Sequence, residues 1–403
     1  MDVQSATPSK ASLTLDLPPS CAQFSPVHRA YFVVGTYNLQ NDDSGPDCGK
    51  SQSRNGSLVV FKVDGDDFHT VQTLLQPSAL LDLRFHPCQD KYPGILVAVS
   101  STGTLAVFRL DPTLDSATPL CHLATSNCQD LAEDVLFLQC DWHPNLENAI
   151  AVSMSNGVAR MLELDAEWKV KQSQDLNVGN SMEAWSIAWS PPTAASEPQG
   201  DDVSVSVYCG GDDSSLRYSS CSWGPESSAS GCEIPFEAAT VKNQHDAGVT
   251  AILPLPIHVA DGGRLVITGS YDDHLRIFSI HDLDKSHGMK RLRLMGDKNL
   301  GGGVWRLNLV DSQQGGDGDD GWRVRILASC MHAGARLVEL KGGSEGLHCS
   351  CKIVARFEEH KSMNYASDCV AADDAGSLRC VSTSFYDKLL CLWEFRPKVR
   401  DDE

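Results

Sequence analysis

The chain has 403 residues, 41% of them hydrophobic, which is enough for a core, but no run approaches the roughly 18 apolar residues of a membrane helix. Its 53 acidic and 33 basic residues give a net charge of −20, which argues against the basic footprint of a nucleic-acid binder. The 15 cysteines are scattered, with Cys349 and Cys351 the only close pair, so neither a disulfide framework nor a zinc site is expected.

In chain order, residues 1–12 read as a tail without the basic start and apolar stretch of a signal peptide, and a cytosolic protein is expected. Residues 13–17 (Leu-Thr-Leu-Asp-Leu) then alternate like a strand. After them one pattern returns seven times: an apolar run, a polar turn, a second apolar run and a closing large residue. The copies are residues 31–63, split by an insertion at 38–55, then 94–110, 150–164, 203–219, 265–280, 326–340 and 378–395. Strand-turn-strand units recurring every 40–45 residues or so mark a WD-type propeller. Such units cannot bury both faces alone, so they stack around an axis.

The expected fold is an all-β, seven-bladed WD40-type propeller over residues 13–396, followed by a charged tail at 397–403. Inner strands open near Cys21, Leu81, Leu138, Trp185, Val249, Val304 and Tyr365. Residues 13–17 complete the last blade and close the ring. The acidic stretch 311–320 reads as a solvated loop.

Blade seven offers a full structural tetrad of His360, Thr383, Asp387 and Trp393. Blade five offers His245, Thr268 and Asp272, with Phe278 where the tryptophan would stand, and blade four keeps only Asp213. Blade six departs from the rule. Its turn carries His332 where the others carry aspartate, and residues 301–306 read Gly-Gly-Gly-Val-Trp-Arg. A turn that drops its structural network for histidine, glycine and arginine is free for other work.

Entry loops and second turns open on one face of a propeller, so Trp305, Arg306, His332, His360, Tyr365, Tyr271 and Tyr386 are expected around one channel mouth. The single Gly-x-Ser-x-Gly match, around Ser344, lies between strands and lacks the strand-to-helix turn of a nucleophile elbow.

Several of these segments resemble the WD-repeat diphthine methyl ester hydrolases of diphthamide synthesis. The resemblance rests on residues 34–37 (Val-Gly-Thr-Tyr), 268–274, 301–306, 330–334 (Cys-Met-His-Ala-Gly), 360–368 and 384–387. It is strongest in blades five to seven, while blades two and three read as generic repeats. It implies a cofactor-free enzyme that removes a methyl ester from a trimethylammonium-bearing histidine derivative on translation elongation factor 2. A monomer is expected, with neither nucleic acid nor membrane as partner.

For that chemistry His332 is the candidate base. Gly302 and Gly303 could present N–H groups to the oxyanion, Arg306 could assist, and His360 with Ser362 forms the reserve pair. Trp305, Tyr271, Tyr365 and Tyr386 would bind substrate. The alternative is a non-catalytic adaptor that uses the same face.

Overall fold

Alternating residues and short polar turns produce antiparallel meanders, and the chain folds into seven of them. The computed structural model describes residues 6–39, 54–192, 203–223, 232–316, 319–343, 349–372 and 376–397. Each sheet runs outward from an inner strand, and these are Pro19–Phe24, Leu80–Phe85, Phe137–Trp142, Ser186–Trp189, Val249–His258, Arg306–Gly316 and Ser367–Ala371. Apolar side chains pack between neighbouring blades. Val249, Val266 and Phe278 of blade five meet Tyr208 and Tyr218 of blade four, for example, in one dry cluster. No helix among the described residues is long and apolar enough to cross a membrane.

Two expectations are corrected here. The ring is closed by Ser9–Thr14, not by residues 13–17. This strand pairs with Leu389–Phe395, with Leu13 opposite Leu390 and Thr14 opposite Leu389. The supposed tail therefore supplies most of the closing strand. As an outer strand it is held by backbone bonds, so apolar alternation does not set its limits: Leu13 stays 39% exposed, while Leu15 turns inward beyond the strand. The stretch at 311–320 is likewise no simple loop, because Arg306–Gly316 and Asp319–Ser329 continue as a long hairpin through it. Most of the insertion at 38–55 lies outside the described residues, but its base is a two-residue ladder, Asn38–Leu39 against Arg54 and Asn55.

No inner strand pairs through its backbone with the next, so every sheet has an open inner edge. Bare backbone groups at such an edge need partners, and side chains of the adjacent blade supply them at every junction. Asp368 of blade seven accepts the Phe24 N–H of blade one at 2.7 Å. Gln23 accepts that of Phe85 at 2.9 Å, and Ser20 donates to the Leu80 carbonyl at 2.6 Å. Asp82 takes the Cys140 N–H at 3.2 Å, and Gln139 and Asp141 take those of Ile187 and Trp189 at 2.8 Å. Past blade four the direction reverses: Ser186, Thr250 and Asn308 donate to the carbonyls of Val249, Val304 and Ser367.

Three of these acceptors are carboxylates inside the channel, and buried charge needs compensation. Arg84 lies 3.5 Å from Asp82. Arg306 reaches over from blade six to within 3.3 Å of the same carboxylate and donates to the Leu81 carbonyl at 3.2 Å. Asp141 and Asp368 are less well served. Burial, only partly offset by hydrogen bonds and by Arg84, pushes both carboxyls up to about 6.

A carboxyl raised on folding adds stability below its unfolded pKa, and that stability is lost as pH rises through the folded value. The double variant Asp141→Asn/Asp368→Asn keeps an acceptor oxygen at each site but removes both charges. Relative to wild type it should gain on the order of 2 kcal/mol per site at neutral pH. The gain should vanish near pH 4, as followed by denaturant midpoints across that range. A gain independent of pH would show that these groups do not titrate as described.

Candidate active site at the channel mouth

The residue just before each inner strand sits at the mouth. In blades four, five and six it is Trp185, Gly248 and Trp305, and in blade seven Tyr365 stands two residues before Ser367. A Cβ on Gly248 would lie 2.9 Å from an Asp212 oxygen and 3.1 Å from the Tyr271 ring. With no side chain there, Asp212 and Tyr271 close over Gly248, and Trp185 and Trp305 meet at 5.2 Å between ring centroids. Trp305 also touches Tyr271 at 5.7 Å and Tyr365 at 4.8 Å. Tyr365 leads to Phe385 at 5.4 Å, and Phe385 to Tyr386 at 5.1 Å and Tyr37 at 6.1 Å. The rings form one arc from blade four to blade one.

Trp305, Tyr271, Tyr365 and Tyr386 are the expected members of this arc. Trp185, Phe385 and Tyr37 were missed, although the repeat carries their signal. Trp185 precedes its inner strand as Trp305 does, and Gly35-Thr36-Tyr37 copies Gly269-Ser270-Tyr271.

His332 lies on the rim, exposed and without a hydrogen bond or ion pair among the described residues. Its turn is fixed from below. Met331, at φ 41°, forms a bridge to Asn364, whose N–H donates to the Met331 carbonyl at 3.0 Å. The Asn364 amide donates in turn to the Ala366 and Thr383 carbonyls at 3.0 and 2.7 Å. The glycines let the two loops approach closely: a Cβ on Gly302 would lie 2.4 Å from the Cys330 carbonyl oxygen, and one on Gly303 2.7 Å from the Met331 sulfur. Neither the Gly302 nor the Gly303 amide donates a hydrogen bond among the described residues.

Other expected site residues have different duties. Arg306 is buried in the channel against Asp82 and is not beside His332. A carboxylate on the opposite inner strand draws it below the mouth. His360 and Ser362 do not form a pair. The His360 ring is bonded through Nε2 to Ser382 at 2.8 Å, and burial pushes it down to about 4, so it is neutral. Trp393 donates to the same Ser382 hydroxyl at 3.2 Å.

The tetrad hydroxyl is therefore Ser382, not Thr383. Adjacent strand residues face opposite sides, and Thr383 donates instead to the Ala366 carbonyl at 3.3 Å. Asp387 does not complete the tetrad either. It accepts the Lys361 N–H at 3.2 Å and the Ser362 hydroxyl at 2.6 Å, with Ser384 as a further donor. Burial opposes its charge, but these bonds outweigh burial and hold the carboxyl below the usual range.

Two carboxylates stand beside the arc. Burial raises Asp212, with Glu183 and Asp213 adding to the shift, while the Trp185 indole N–H approaches without a full hydrogen bond. Burial, Asp212, Tyr365 and Glu183 together raise the Tyr271 phenol. A cleft of about 750 Å³ lined by Arg54, Thr102, Asn127 and Glu133 lies on blades one to three and shares no residue with the arc. Among the described residues no group of three or more His, Cys, Asp or Glu side chains is arranged to hold a metal ion.

No family model matches the chain. It is 28% identical over 390 residues to the diphthine methyltransferase of Schizosaccharomyces pombe, covering 94% of this chain and 95% of that protein. The diphthine methyltransferase of Saccharomyces cerevisiae is 25% identical over 429 residues, covering 94% and 95%. A Dictyostelium discoideum protein named diphthine methyltransferase homolog is 23% identical over 398 residues, covering 94% and 97%.

Asp387→Ala would leave the Lys361 N–H and two serine hydroxyls without their acceptor, at a cost of about 1–3 kcal/mol. Thermal unfolding should register a clear fall in melting temperature. An unchanged melting temperature would mean that this network does not hold blade seven together.

Proposed function

We propose that this chain, a whole-length homologue of proteins named diphthine methyltransferase, hydrolyses the methyl ester of methylated diphthine on translation elongation factor 2. The products are the diphthine carboxylate and methanol, and the reaction belongs to diphthamide biosynthesis. The observation that carries this reading is the aromatic arc. The substrate side chain bears a trimethylammonium group, and the faces of tryptophan and tyrosine attract quaternary ammonium. In this reading Trp305, Tyr271, Tyr365 and Trp185 hold the ammonium, and the exposed Tyr386 meets the surrounding protein surface. The protein works in the cytoplasm, with its substrate.

With the ammonium on the arc, the ester would lie toward the rim where His332 stands. Water attacks the ester carbonyl while the His332 imidazole takes a proton from it. The oxyanion that forms can accept from the Gly302 and Gly303 amides, which have no acceptor among the described residues. Collapse of this tetrahedral intermediate expels the methoxide, which regains the proton from the imidazolium and leaves as methanol. Arg306, His360 and Ser362 have no part in this scheme, because contacts with Asp82, Ser382 and Asp387 occupy them.

The names of the relatives favour a second reading, methyl transfer onto diphthine. The two separate by mass. Purified protein incubated with methyl-esterified elongation factor should release methanol and lower the mass of the modified residue by one methylene. A mass gain on unesterified diphthine, dependent on a methyl donor, would support transfer instead. No change in either direction would leave an adaptor. General base catalysis is worth about 10²–10⁴-fold, so His332→Ala should lose that much rate while melting like wild type, and His332→Asn should lose nearly as much. Near-normal hydrolysis by the alanine variant would place the base elsewhere.

A further inference from the structure

The second turn of each blade presents one residue to the mouth. In blades one, five and seven that residue is an aromatic of the arc, Tyr37, Tyr271 and Phe385. The turns of blades four and five correspond at four points. Gly210 faces Leu216 as Gly269 faces Leu275. Ser214 and Asp273 both take positive φ, 56° and 68°. Asp213 pairs with Arg217 at 2.7 Å as Asp272 pairs with Arg276 at 2.8 Å. Asp212 donates its N–H to the Glu183 carbonyl at 3.1 Å, and Tyr271 donates its own to that of Gly248 at 3.0 Å. In this frame blade four carries Asp212 where blade five carries the ring of Tyr271.

We propose that Asp212 is the counter-ion of a quaternary ammonium bound on the aromatic arc, with Glu183 adding to the field, so that blade four supplies the charge and blades four to seven the rings. This rests on the esterase reading for the identity of the natural ligand, but not for the existence of the cation site. Asp212 has the features of such a group. It is half-buried, and among the described residues its carboxylate makes neither an ion pair nor a full hydrogen bond. Its neighbour Asp213 is committed to Arg217 and to the N–H and hydroxyl of Ser181. The carboxylate packs over the bare backbone of Gly248, close to the Tyr271 ring and the Trp185 indole. An anion without a cation, beside aromatic faces, fits a ligand that is positively charged and too methylated to donate hydrogen bonds. A primary ammonium would instead call for acceptors on all sides.

The test uses tetramethylammonium chloride as the probe, with tert-butanol as a neutral control of similar size and shape, followed by tryptophan fluorescence of the intact protein. Asp212→Asn should weaken tetramethylammonium binding about tenfold and leave tert-butanol unchanged, as expected when one charge pair near a protein surface is removed. Melting temperature should not fall, because the carboxylate holds nothing in the fold. In the esterase assay the same variant should raise KM with little change in kcat. Wild-type affinity for tetramethylammonium in Asp212→Asn would overturn the proposal, whatever the esterase result. Charge-dependent probe binding in a protein that hydrolyses no ester would keep the cation site and reject the esterase reading.

Discussion

Seven sheets share an axis at which none of them can complete its own hydrogen bonding. The inner edges are too splayed to pair through the backbone, so the junctions depend on side chains that reach sideways around the ring. That constraint dictates the chemistry of the channel. On the arc from blade seven to blade four the bare groups that are met are N–H groups and, at Leu80, a carbonyl, so most of the linking side chains are acceptors, and three of them are aspartates. From blade four onward carbonyls are met by serine, threonine and asparagine. The acceptors bring charge into a dry space, and Arg84 and Arg306 follow from that need.

The fate of Arg306 shows how this lower layer shapes the upper one. Because its guanidinium is drawn down to Asp82, the mouth above keeps Trp305 as its central feature, with rings from neighbouring blades around it. The mouth is therefore apolar at its centre and acidic on the blade-four side, while His332 stands on the rim of blade six. The glycines at 302 and 303 belong to the same arrangement, since they let the turn at Cys330 settle against the loop that bears Trp305.

The sequence shows the repeat count, the inner strands and most of the mouth plainly, because period-two alternation and turn spacing are local signals. It shows less where a face or a partner decides. Ser382 and Thr383 are one residue apart and chemically alike, and only the register of the strand says which meets His360. The closing strand at Ser9–Thr14 has a weak pattern because its outer side faces water. Arg306 looks like a mouth residue until Asp82, more than two hundred positions earlier, is placed opposite it. Trp185 is legible by its offset before an inner strand, which is that of Trp305, but only the fold brings the two rings together.

The closing strand has a consequence for how the molecule is made. Ser9 bonds to Glu359 and lies opposite Trp393, at a separation of hundreds of residues. On the ribosome the earliest part of the chain must wait, unpaired, until the final blade has been synthesised. The blades between can form in order from local contacts, but the ring is an open curve until its two ends meet. Tyr365, Phe385 and Tyr386 arrive only with that last blade, so a nascent chain or a truncated product would hold half of the aromatic mouth and none of the closure. Completion of the circle and completion of the binding face are thus one event, late in synthesis.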